Sequence, residues 1–276
     1  MNDIEAILDA ISQGRHTDVK LHKATDKMLI LWNSKKPMRF GLHLSDITLP
    51  FEGKTQFCYR QHVLGKFYLP AEERPMAPKA LAIFLEGWYV HLKWQMLFKL
   101  SGNAVEIEKT RLDPVFGIYH TPDVIAKFPE IAQDDLWIVE IKSMGMDAYN
   151  KVAGVYDPYK IHPSGYKQAQ LYMYLVGCKK AMLLLENKNN QDRREVSFDY
   201  DPDFIAPYIH RLNTLSQMWE EKTLPMRVCE NSETNRALSC NMRNVCWVGK
   251  KEREKFLLTT PWAQEQVNAS LIHFEE

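Results

Sequence analysis

Glu140 and Lys142 stand two apart at the end of the apolar run WIVEIK. In a strand, residues i and i+2 project from one face, so this spacing sends a carboxylate and an ammonium out together. Seventeen residues earlier, Asp123 in HTPD opens another β-rich run. Two carboxylates brought together by neighbouring strands could hold a divalent cation through oxygen ligands. Lys142 would then orient or deprotonate a water, or steady charge on a phosphate. The same pair also suits a plain ion pair on an exposed strand, and spacing alone favours that reading, because ExK occurs often by chance.

Two helical stretches flank this pair. In GWYVH, Gly87 and His91 are four apart on one helix face, and a neutral imidazole there is either a metal ligand or a half-buried hydrogen-bonding group. In YKQAQLYMYL, Gln168 and Tyr172 are four apart, and so are Gln170 and Tyr174. These side chains suit phosphate oxygens, but they equally suit an amphipathic helix with its tyrosines half in the core.

A third group is made of thiols. Cysteines stand at 58, 178, 229, 240 and 246, three of them within CENSETNRALSCNMRNVCW. With Cys58 they make four, the usual ligand set of a [4Fe–4S] cluster and also of a structural zinc. Cys178, at the junction VGCKKAMLLL, reads as a buried free thiol.

Elements must position these groups. Helical spacing is expected over Ile4–Ile11, Phe57–Tyr68, Ala80–Leu100 and Tyr166–Val176. Another helix opens at Asp201-Pro202, with Asp201 as N-cap, and runs to about Trp219. Strand patterns cover Ala104–Arg111, Val115–Tyr119, Asp123–Phe128, Leu136–Ile141, Lys180–Leu185 and Glu195–Phe198. Helices, then a strand meander, then helix, strand and helix describe a mixed α/β (α+β) core. The segment Ser143–Gly165 reads as a long loop overhanging the Glu140/Lys142 strand, and within it Lys160 and His162 are candidate substrate contacts.

With 276 residues the chain allows one large domain or two small ones. Lys+Arg and Asp+Glu are both 35, which excludes global basicity as the means of holding nucleic acid but leaves room for a local basic groove. The acidic N-terminus lacks the pattern of a signal peptide, and no apolar run approaches a membrane span. A cytoplasmic protein with reduced cysteines and no membrane partner is expected.

Taken in chain order, Gly87…His91, Gly117…Asp123, Glu140-Ile141-Lys142 and Gln168…Tyr172 resemble the Cas4/RecB-like branch of the PD-(D/E)XK nuclease superfamily. The resemblance covers about Ser45–Trp247. It implies a single nuclease domain over 1–276: a helical part over 1–79, a core of central mixed sheet and flanking helices over 80–200, and a helix with a cysteine segment over 201–276. It implies Asp123, Glu140 and His91 on Mg²⁺ or Mn²⁺, Lys142 at the attacking water, and Gln168 and Tyr172 beside them, with Gln170/Tyr174 as the competing register. Such nucleases carry one cysteine before the core and three after it, which maps a [4Fe–4S] cluster, or zinc, onto Cys58, Cys229, Cys240 and Cys246. Two spacings depart from the family. Gly117 and Asp123 are six apart, not three, and ten residues separate Cys229 from Cys240 where the family has C-x2-C.

Basic residues interleaved with aromatics, including Arg60, Lys151, Lys160 and Lys167, suit a single strand whose phosphates are paired and whose bases stack, although most of them read equally as solvated surface charge beside core aromatics. The expected activity is a metal-dependent exonuclease on single-stranded DNA or DNA ends, in phage or mobile-element recombination, repair or CRISPR-linked processing. A homo-oligomer or a recombination or CRISPR partner protein would fit that role. The alternatives are a non-catalytic DNA-end-binding module and a λ-exonuclease-like duplex processor.

Overall fold

Both faces of the central stretch of the Glu140 strand are covered, which is why LWIV and Ile141 there are apolar. The computed structural model describes residues 19–34, 42–53, 56–68 and 77–257. Its first helices are α1 (Val19–Ser34), α2 (Leu44–Ile47), α3 (Tyr59–Phe67) and α4 (Pro78–Leu100). Strands β1 (Ala104–Ile107), β2 (Arg111–Asp113), β3 (Ile118–His120), β4 (Val124–Phe128) and β5 (Ala132–Met144) follow. Helices α5 (Met146–Lys151), α6 (Pro158–Ile161) and α7 (Pro163–Val176) lead to β6 (Lys180–Asn187) and β7 (Arg193–Asp199). Helix α8 (Pro202–Glu220) precedes the short helices α9 (Asn235–Ser239), α10 (Arg243–Cys246) and α11 (Lys250–Arg253).

The main sheet has the order β1-β4-β5-β6-β7. Only β5 and β6 are parallel, with Glu140 opposite Leu183 and Lys142 opposite Leu185. The other neighbours are antiparallel, so the sheet is mixed. Alternate residues of β5 feed two cores. Ile138 packs with Ala169, Met173, Ile205 and Leu212 beneath α7 and α8. Val139 and Ile141 pack with Val90 and Phe98 of α4. Glu140 and Lys142 share parity with Ile138, so they emerge on the α7 side. This is a mixed α/β architecture with helices on both faces of a central sheet.

The chain falls into two compact units, residues 1–39 with 74–88, and residues 40–73 with 89–276. The site described below lies wholly in the second.

Most expected elements are present, and three expectations need correction. The strand expected over Ala104–Arg111 stops at Ile107, because Glu108 takes φ 45° and turns the backbone. The chain resumes as β2, which pairs with β3 in a separate ribbon. The strand expected at Val115–Tyr119 starts only at Ile118, since the preceding residues form the ribbon's turn. The loop expected over Ser143–Gly165 contains α5 and α6, the latter capped by Asp157, which accepts from the Tyr159 and Lys160 N–H groups. The helix expected over Ile4–Ile11 lies outside the described residues. Asp201 caps α8 as its sequence predicts, accepting from the Phe204 N–H.

Candidate active site and four-cysteine cavity

Four of the expected residues meet at one end of β5. His91 Nδ1 lies 3.3 Å from Asp123 Oδ1. Asp123 Oδ2 accepts the Ile141 N–H at 2.8 Å, which fixes the carboxylate against the strand carrying Glu140. The Asp123 carbonyl accepts in turn from Glu108 N–H at 3.1 Å, so the left-handed turn at Glu108 also braces the site. Lys142 Nζ stands 2.5 Å from Glu140 Oε1. The second Glu140 oxygen, Oε2, is buried without a hydrogen-bond partner.

Burial, with the nearby Asp123 charge, pushes the Glu140 carboxyl up to about 7, although Lys142 pulls the other way. Burial works against the Lys142 ammonium, but the charges of Glu140 and Asp123 outweigh it and hold its pKa above the ordinary lysine value. Burial likewise disfavours His91 as a cation, and the Asp123 hydrogen bond reverses this, leaving its pKa raised. Among the described residues no three His, Cys, Asp or Glu side chains surround one point at metal-ligand spacing. Glu140 is drawn to Lys142 instead.

Other residues set this geometry. Glu186, buried at the end of β6, accepts from Lys93 Nζ at 2.6 Å and from Trp94 Nε1 at 2.7 Å, two and three residues after His91. It therefore fixes the turn of α4 that presents the histidine. Sequence reasoning passed over it, although an acid closing the run KAMLLLE is a visible signal. Gly165 was also passed over: a Cβ there would meet Lys142 Cε at 3.2 Å and His162 Nδ1 at 2.9 Å.

His162 caps α7, its Nδ1 accepting the Gly165 N–H at 3.0 Å. Burial and the Lys142 charge push its pKa down to about 4, so it is neutral. Lys160 is exposed and pairs with Asp157 at 3.7 Å. On α7, Tyr172 is buried and donates to the Thr121 carbonyl at 3.0 Å, two residues before Asp123. Gln168 is half-buried one turn earlier. Gln170 is fully buried and turned elsewhere, donating to the Asp199 carbonyl and Tyr166 Oη and accepting from the Asp201 N–H. Tyr174 is exposed.

The four cysteines lie far apart in sequence but line one cavity, together with Arg60, Gln61, Arg227, Ala237, Met242, Arg243 and Trp247. Cys58 is brought there at the N-terminal boundary of α3, Cys240 and Cys246 by α9 and α10. Burial, reinforced by the neighbouring thiols, pushes the Cys58 thiol up and Cys240 to about 11. Cys178 packs in the main core, outside this group. Arg60 sits at the cysteine cavity, with its Nε 3.3 Å from Cys246 Sγ, and not at the Glu140 site.

No family model matches the sequence. No curated protein matches it. Among solved structures it is similar to LHK-Exo of Laribacter hongkongensis in complex with dAMP, at 12% identity and TM-score 0.45 over 66% of this chain and 89% of that one. A structure of SSO0001 matches at 16% identity and TM-score 0.39 over 74% and 93%. A phage related exonuclease from Haemophilus somnus 129PT matches at 15% identity and TM-score 0.33 over 50% and 72%. No helix among the described residues is long and apolar enough to cross a membrane.

Proposed function

We propose that the chain is a divalent-metal-dependent deoxyribonuclease, an exonuclease acting on single-stranded DNA or DNA ends. The observation that carries this reading is the Glu140 carboxylate. It is buried, one of its oxygens is unpartnered, and it neighbours Asp123, His91 and Lys142. A buried acid repelled by a second acid is stabilised by a cation, and this oxygen-rich set with one imidazole suits Mg²⁺ or Mn²⁺. Asp123, Glu140 and His91 would hold the ion. When bound, such an ion neutralises a phosphodiester, lowers the pKa of a water and steadies the leaving oxygen.

The chain's own groups do the rest. Lys142 is protonated, so it acts as a donor. It orients the attacking water and steadies charge gathering on the phosphate, where a fixed ammonium is worth most in the transition state. Tyr172, bonded to the Thr121 carbonyl, holds α7 to the segment that carries Asp123. Gln168 and Lys160 offer donors to phosphate oxygens, and the neutral His162 holds the α7 terminus beside Lys142.

The second part of the reading is that Cys58, Cys229, Cys240 and Cys246 hold a metal–thiolate centre, a [4Fe–4S] cluster with zinc as the alternative. Four half-buried thiols lining one cavity fit such a group by the chemistry of the donor set. It would tie α3 to the segment after α8.

The test is a labelled oligonucleotide incubated with anaerobically purified protein, with and without Mg²⁺ or Mn²⁺. Metal-dependent shortening that Glu140→Gln abolishes is expected. Intact substrate under every metal condition, with folded protein, refutes the catalytic reading.

A further inference from the structure

We propose that Arg60 is the positioning residue of the four-cysteine centre, holding the Cys246 sulfur by a hydrogen bond and supplying the buried positive charge that an anionic metal–thiolate group needs. This rests on the reading that the four cysteines hold such a group.

Three observations support it. Arg60 is only 8% exposed, which is unusual for a guanidinium. Its partners are the Cys246 sulfur, 3.3 Å from Nε, and the Pro225 carbonyl, 2.7 Å from a terminal nitrogen. No carboxylate is paired with it among the described residues. A buried cation without an anion is costly, and thiols are poor acceptors while they keep their protons. Metal-bound thiolates change both terms at once, because they are anions and strong acceptors beside the guanidinium.

The surroundings follow the same pattern. Arg227 donates to the Cys246 carbonyl, at 2.7 Å from one nitrogen and 3.2 Å from another. Arg236 donates to the Gln56 carbonyl at 2.6 Å, two residues before Cys58. Both cations are spent on backbone next to the ligands, while Arg60 reaches a ligand sulfur. Hydrogen bonds to ligand sulfurs set the reduction potential of iron–sulfur clusters, and groups that hold metal ligands typically account for about 10–100-fold in metal affinity.

A residue that only tied α3 to Pro225 would change melting temperature and leave the electronic character of the centre alone. The test therefore compares anaerobically purified parent, Arg60→Gln and Arg60→Lys by visible spectrum and redox titration. For a cluster, the midpoint potential should shift to a more negative value in Arg60→Gln, and the absorbance should fade faster in air. Arg60→Lys keeps the charge without the planar fork and should fall between. If the parent holds zinc, competition with a chelator replaces the redox titration, and Arg60→Gln should bind about 10–100-fold more weakly. Arg60→Lys carries the test alone if Arg60→Gln does not fold. A centre with unchanged potential, air lifetime or zinc affinity in the variants overturns the role of Arg60 while leaving the centre. A parent free of iron and zinc overturns the centre, and the role of Arg60 with it.

Discussion

Gly165 leaves the space that Lys142 occupies. A Cβ at position 165 would stand 3.2 Å from Lys142 Cε, 3.0 Å from Leu183 Cδ2 and 2.9 Å from His162 Nδ1. The 2.9 Å contact forces His162, and with it the cap of α7, to shift, while Leu183 and the Lys142 stem must each give by a few tenths of an ångström. Gly165→Ala should therefore loosen the α7 cap and crowd the Lys142 stem that is paired with Glu140. We expect turnover to fall at least tenfold, with a stability loss of about 1–3 kcal/mol from overpacking. Cleavage rates and denaturant midpoints on one preparation check this. Parent-like turnover would mean that the close packing of α7 on His162 and Lys142 does not matter for the reaction.

Glu140 and Lys142 should be strongly coupled in the metal-free protein. The pair is 2.5 Å apart and the carboxylate side chain is almost fully buried. Above pH 7, where Glu140 is ionised in the parent, Lys142→Met leaves an unpaired buried acid and should cost about 3 kcal/mol or more. Adding Glu140→Leu should recover most of that loss, because the double variant buries no charge. A double-mutant cycle in denaturant measures the coupling. Additive losses would show that the two charges do not stabilise one another.

The raised pKa of Glu140 has a sign that can be checked. The folded protein holds the Glu140 proton up to about pH 7, while the unfolded chain loses it near the ordinary 4.5. Between those values the folded state binds more protons, so this group's contribution to stability falls as pH rises. Lys142, whose pKa is raised, stays charged through this window and loses its contribution only at alkaline pH. Urea midpoints in chelator should therefore decline more steeply with pH from 4.5 to 7 in the parent than in Glu140→Gln. Parallel profiles would place the titration elsewhere.

Regular spacing made much of this site legible. Glu140 and Lys142 follow the period of two, and His91 the period of the helix, because β5 and α4 are regular through those residues. The sequence is less informative where geometry depends on a single dihedral or a distant contact. Glu108 ends β1 with one left-handed residue, and nothing in AVEIEKTR marks that position. Helices α5 and α6 have six and four residues, too few for a periodicity to declare itself. The placing of Arg60 depends on a sulfur 186 positions along the chain, so its neighbours in sequence say nothing about its partner.

The two Gln/Tyr registers on α7 make opposite predictions. Gln170 joins Tyr166, Asp199 and Asp201 by hydrogen bonds in a fully buried position. Gln170→Leu strands those groups and should cost about 1–3 kcal/mol per group left unpaired, with DNA binding unchanged in the protein that remains folded. Gln168→Ala, at a half-buried position, should change stability by about 0.5 kcal/mol or less and weaken cleavage. Thermal melts and cleavage assays of both variants decide between them. Lost activity in folded Gln170→Leu with a silent Gln168→Ala would reverse the assignment.

The cysteines should separate into four and one. Cys58 stands at the start of α3, while Cys229, Cys240 and Cys246 lie more than 170 residues later, and all four line one cavity. A metal bound there joins α3 to the segment after α8, and its binding energy becomes folding energy. Replacing any one of the four by Ser should release iron or zinc and lower the melting temperature, whichever side of the core carries the change. Cys178 is the control. It is 5% exposed in the main core, with burial pushing its thiol up to about 11. Because Ser would bury a hydroxyl there, Cys178→Ala is the cleaner change, and it should keep the metal content of the parent while costing some core packing. Metal analysis and melting of the five variants distinguish the cases. Metal retained in any one of the four Ser variants would remove that residue from the ligand set, and metal lost in Cys178→Ala would mean that core packing controls the cavity.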